Sequence, residues 1–107
     1  MKDLPIADGA YLRVNGSLLA ETVLTETWTD ASGRKHVSGE SILYVNRMPE
    51  FDFETFRTNR TVLVVDVFRG NGERFQFDGV VSRTGMRMRV NEPLVQTYQI
   101  DERSMGA

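Results

Sequence analysis

Cysteine is absent from the 107 residues, which excludes disulfides, thiolate metal sites and a cysteine nucleophile. Histidine occurs once, at His36, and a single imidazole cannot build a multi-histidine metal centre. Lysine disappears after residue 54, where all eight bases are arginine. No apolar run approaches the ~18 residues of a membrane-spanning helix. Residues 1–9 include Lys2 but lack the apolar core of a secretory signal. These absences predict a soluble intracellular domain that is not an enzyme and carries no metal, cofactor or membrane partner.

The residues present are those of an ordinary globular domain, with 40% hydrophobic and 26% charged. A chain of this length has room for one domain that buries roughly 65% of its unfolded surface. The net charge of −2 favours no particular partner, but the halves differ. Residues 1–54 hold nine acids and five bases, and residues 55–107 hold eight bases and six acids. Arginine presents a planar fork suited to interface pairing and phosphate recognition. Two uses of this asymmetry are open: solvated strand faces, or an acidic patch meeting a basic patch on identical subunits.

Alternation of apolar and polar residues dominates the chain. Residues 1–9 read as a flexible arm, 10–102 as one β domain and 103–107 as a polar tail. Asn15-Gly16 between apolar runs is a strong hairpin signal, because both residues tolerate the positive φ of a type I′ turn. In the next strand Thr22, Leu24, Glu26 and Trp28 alternate onto one predicted face. Asp30, Ala31, Ser32, Gly33, Arg34 and Lys35 form a polar loop, either a short tip or a long mobile excursion. A strand follows through residues 36–46.

Residues 49–57 read as strand or as a short helix. Pro49 near the start, acids in the first turn and Arg57 near the end favour the helix, with Phe51, Phe53 or Phe56 inward. Residues 61–68 are a β-branched run of central-strand type. Gly70, Asn71 and Gly72 supply a turn. Residues 74–83 alternate, with Gly79 in mid-strand predicting a bulge or a close backbone approach. Thr84-Gly85 reads as another turn. Met86, Met88 and Val90 then form an apolar face opposite Arg87 and Arg89, and a last strand covers residues 94–100. The pattern predicts a mainly β fold, a single-domain sandwich or rolled barrel of about seven strands with one short helix.

No motif converges on chemistry. A catalytic histidine needs an orienting carboxylate and a nucleophile, and His36 reads as an exposed loop residue. Glu50, Asp52 and Glu54 would share one face of a strand and suit a hard cation, or serve as first-turn acids of a helix. Gly70-Asn71-Gly72 joins two strands, so it is not a phosphate cradle. Arg69, Arg74, Arg83, Arg87 and Arg89 could follow a phosphate backbone, but Phe75 and Phe77 fall on the opposite face, so nucleic-acid binding is disfavoured. The candidates for a protein interface are Arg83, Arg87, Arg89, Glu50, Asp52, Asp30, Arg34 and Lys35.

The second half has an order of elements that resembles a known family. It runs strand (41–47), short helix (51–57), apolar strand (61–68), strand with a central glycine (74–83) and closing strands (86–100). This order is similar to the tail-tube fold of long-tailed bacteriophages, shared with the haemolysin-coregulated proteins of type VI secretion and with baseplate hubs. The resemblance implies a non-enzymatic virion component (tube, connector, tail-completion or baseplate protein) that assembles in the host cytoplasm. It implies a hexameric ring, neighbouring tail or baseplate proteins as partners, and a loop around residues 30–39 reaching the next ring. The alternative from a different class is a small β-barrel binding module for a protein or nucleic-acid partner.

Overall fold

The computed structural model describes residues 8–42 and 53–104. Its strands are β1 (Gly9–Val14), β2 (Ser17–Thr29), β3 (Lys35–Ile42), β4 (Val62–Phe68), β5 (Arg74–Arg87) and β6 (Val95–Glu102), with helix α1 (Phe53–Asn59) between β3 and β4. The strands close into an antiparallel barrel in the order β1-β2-β3-β6-β5-β4, and β4 pairs back onto β1. Closure leaves no strand at the edge of an open sheet. Of the two predicted architectures, sandwich and rolled barrel, the fold is therefore the rolled barrel.

Local sequence explains the hairpins. Asn15 and Gly16 hold φ of 51° and 81° between Val14 and Ser17, which pair directly. At the β4–β5 turn the Gly72 amide donates to the Arg69 carbonyl at 3.0 Å. The 30–35 loop is the short tip of its two alternatives. The Asp30 amide donates to the Arg34 carbonyl at 3.0 Å, and the Asp30 carboxylate accepts the Ser32 and Arg34 amides at 2.9 and 3.1 Å.

Among the described residues six strands stand where the pattern suggested about seven, and the difference lies at Thr84-Gly85. These residues do not turn the chain; β5 runs through them to Arg87, paired with β6. The strand shifts register between Val81 and Arg83, so Ser82 is an extra bulged residue. Before the bulge Phe77 and Val81 are buried; beyond it Thr84 and Met86 lie on the side of buried Tyr98 and Gln96, and Arg83 and Arg87 face outward. A second bulge falls between Leu24 and Glu26. It corrects the single predicted face of β2: Thr22 and Leu24 are buried inside, while Glu26 and Trp28 lie outside beside Ser38 and His36.

The interior is filled by Ala10, Leu12, Ala20, Leu24, Val37, Leu63, Val65, Val67, Phe77, Val81, Tyr98 and Ile100. The alternation in β4 and β5 places Leu63, Val65, Phe75, Phe77 and Val81 inward; Leu63, Val65, Phe77 and Val81 are buried, while Phe75 is only partly buried and packs against the core. Gly79 is a close approach, since a Cβ there would stand 2.5 Å from Ile100 Cγ2. Helix α1 lies against β5 and contributes fully buried Phe53, whose ring stacks on Tyr98 at 4.6 Å between centroids. The helix thus caps the interior with an aromatic ring, the role expected of one of its phenylalanines. Phe51 and Pro49 lie outside the described residues.

Candidate functional site

Three features of the outer surface stand together: a histidine clasp, a groove and a projecting arm. The clasp begins with His36 on β3. Its neighbour Val37 points inward, so alternation sends the imidazole out, between Trp28 of β2 and Asp101 of β6. His36 Nδ1 meets Asp101 Oδ1 at 2.7 Å, and Nε2 meets Asp30 Oδ2 at 2.7 Å. The Trp28 indole stacks on the ring at 5.1 Å, with 13° between the planes. Only 11% of the His36 side chain is exposed, which corrects the reading of an exposed loop residue.

Two carboxylates on one imidazole favour the doubly protonated ring. Asp101 first, then Asp30, raise the His36 pKa above its ordinary value. The Asp30 carboxyl is held well below its usual range by the Ser32 hydroxyl and then by His36. Burial pushes Asp101 up, but hydrogen bonds from Gln99 and His36 help bring it below its ordinary value. With both ring nitrogens engaged, neither is free to take a proton from a nucleophile, so the cluster acts as a clasp between the β2–β3 tip and β6. Arg34 adds two hydrogen bonds to the Glu102 carbonyl, at 3.1 and 2.7 Å, and the Lys35 amide donates to Glu102 Oε1 at 3.0 Å.

Beside the clasp lies an open groove of about 390 Å³ across β2, β3, β6 and β5. One wall carries Glu26 and Trp28, the other carries Arg83, and Ser38, Thr97 and Gln99 lie between them. The bulges at Leu24–Glu26 and Val81–Arg83 border the groove, one in each wall, and bulges bend the strands that carry them. Neither Glu26 nor Arg83 forms an ion pair among the described residues. Glu40, another groove residue, pairs with Arg87 at 3.3 Å, and Arg87 also reaches Glu92 at 3.7 Å.

The arm is the end of the β5–β6 hairpin. Beyond Val80, β5 no longer pairs with β4, and Thr84 instead donates its hydroxyl to Glu54 of α1. The Glu92 amide donates to the Arg89 carbonyl at 3.1 Å, and Asn91 takes φ of 64° to close the turn. Residues 88–93 are all exposed. Met86, Met88 and Val90 are 65%, 78% and 89% exposed, so the face expected to be buried in this subunit is on its surface. The reason is length: β5 runs on to Arg87 while its pairing with β4 ends at Val80, so these residues lie beyond β4.

The predicted interface residues therefore separate into three groups. Asp30, Arg34 and Lys35 are engaged within the subunit, and the tip they form is a short turn rather than a long reaching loop. Arg87 is paired internally, while Arg83 and Arg89 remain available on the groove and arm. Glu50 and Asp52 lie outside the described residues. Sequence reading overlooked the Asp30–His36–Asp101 set, because Asp101 is 65 positions from His36 and only barrel closure joins them.

Among the described residues no helix is long and apolar enough to cross a membrane, and no group of three His, Cys, Asp or Glu is placed to hold a metal ion. No protein-family model matches the sequence, and no curated protein matches it.

Proposed function

We propose that the chain is a non-catalytic structural subunit that works by packing against copies of itself in a symmetric ring and against neighbouring components. The observation that carries this reading is the exposed trio Met86, Met88 and Val90 on one arm. Scattered single apolar residues on a surface need no explanation, whereas a contiguous set on a projection marks an interaction site. The order β3, α1, β4, β5, β6 supports a place among tail components of long-tailed phages or related injection machines. On that reading the partners are tail or baseplate proteins, and the protein works in the virion after assembly in the host cytoplasm. A second reading, a binding module for a protein or nucleic-acid partner, is favoured by the polar groove.

Light scattering over a range of protein concentrations and salt tests the first reading. The expected result is a mass that rises in multiples of the subunit and falls at high salt, where exposed charges are screened. A monomer at every concentration in low salt would overturn the ring and leave the binding module.

A further inference from the structure

We infer that the tip of the β5–β6 arm of one copy seats in the outer groove of the next, so that assembly is head to tail. This inference rests on the self-assembly reading and names the two surfaces that carry it. The tip and the groove are complementary in charge. The groove presents Glu26 on the β2 wall and Arg83 on the β5 wall, neither in an ion pair among the described residues. The tip presents Arg89 and Glu92 at the two ends of one turn. Arg89 is exposed and without a side-chain partner among the described residues. Glu92 is half-exposed and held only by the 3.7 Å contact to Arg87. A turn that carries a cation and an anion fits a groove that carries the opposite pair, in one orientation.

The apolar part of the tip also has a counterpart. Two aromatic rings line the groove, buried Tyr98 and part-exposed Trp28, and the position of the Trp28 indole is fixed by stacking on the clasped His36. Methionine is suited to contact with an aromatic ring, and Met88 and Val90 flank Arg89 in sequence. A rigid indole meeting flexible exposed side chains is the arrangement of an interface anchor. Charges at such a contact set register and orientation, while apolar contact supplies most of the affinity. The contact is heterologous, because arm and groove are different surfaces of the same chain. Repeated, it closes a ring or grows a stack.

The cysteine-free background supplies the test. Glu26→Cys and Arg89→Cys are made as separate full-length proteins, each checked for an unchanged thermal transition, then mixed and oxidised. The expected product is a covalent dimer containing one chain of each kind, well above the yield obtained with Glu73→Cys, an exposed turn residue that does not line the groove. In parallel, Glu26→Arg alone and Arg89→Glu alone should each weaken association roughly tenfold, and the protein carrying both reversals should recover most of it. Replacement of Met88 and Val90 together by serine should weaken association at least as much. A wild type that assembles, with cross-links confined to like pairs or no higher than the Glu73→Cys control, would overturn arm-in-groove docking and leave the assembly reading standing. So would a double charge reversal no better than the single ones. A wild type that stays monomeric would overturn both.

Discussion

The hydroxyl of Tyr98 on β6 fills the space that a side chain at Gly39 on β3 would need. A Cβ at Gly39 would stand 2.3 Å from that oxygen and 2.7 Å from the Val23 carbonyl of β2. Glycine lets the tyrosine cross over β3 and hydrogen-bond the Thr22 hydroxyl on β2. Burial pushes the Tyr98 phenol up to about 12, despite that bond, so it stays protonated throughout the working range. Gly39→Ala should cost about 1–3 kcal/mol, the usual penalty of overpacking, measured by urea denaturation. Tyr98→Phe in the same chain should restore only part of it, because the Val23 carbonyl remains in the way.

Phe53 is the helix's contribution to the core. It is fully buried against Tyr98, and its truncation opens a cavity that strand backbones cannot collapse to fill. Phe53→Ala should cost about 3–5 kcal/mol. Phe77→Ala, on β5 in the same core, should fall in the same range. A cost below about 1 kcal/mol at Phe77 would mean that β5 is inverted.

The clasp makes stability depend on pH with a definite sign. The His36 pKa is raised on folding, so its contribution is fully present below the unfolded histidine value and is lost as pH rises through the folded one. Asp30 and Asp101 are lowered, so theirs is present above ordinary carboxylate values and is lost as pH falls through the folded ones. Their combined contribution is greatest at mildly acidic pH, between the two ranges. Thermal melts should show stability from the clasp declining from pH 6 toward pH 9 in the wild type, and a flatter profile in His36→Gln. Proton NMR should place the His36 midpoint above 6.5, with Asp101→Asn lowering it more than Asp30→Asn.

Arg87 and Arg89 are two positions apart and should respond differently. Arg87 bridges Glu40 and Glu92 within the subunit, so Arg87→Glu places three acids together and should lower the thermal transition. Arg89 has no such role, so Arg89→Glu should leave the transition within a degree or two and act on association alone. Melting and light scattering on the two variants separate fold from contact.

Much of the barrel is readable in the chain, and the parts that are not have specific causes. Asn15-Gly16 announces its hairpin through local chemistry, and the β-branched run at residues 62–65 announces a central strand. Gly79 marks a close approach correctly, because the cause lies within the strand pattern. Thr84-Gly85 misleads for the opposite reason: residues of turn chemistry sit in a strand that pairing with β6 keeps extended. Met86 and Met88 look like core because alternation alone cannot show that β5 outruns β4. The clasp is invisible in one dimension. Asp30 is near His36 in sequence, as in many chains, but Asp101 becomes its neighbour only when β3 and β6 pair.

The bulge at Ser82 carries a consequence for shape. Ser82 is surplus to the β5–β6 ladder: Val81 faces Ile100 and Arg83 faces Gln99 with Ser82 between them. Removing it would leave each side chain on its own face and the pairing intact, yet straighten the strand that the extra residue bends. The core, the ion pairs and the chemistry of the tip would all survive, but the tip would be presented along a different line. In a closed ring the angle between subunits fixes how many of them complete the circle. On the ring reading proposed above, the number of subunits is thus written in the length of one strand, and deleting Ser82 should change it where most substitutions would not.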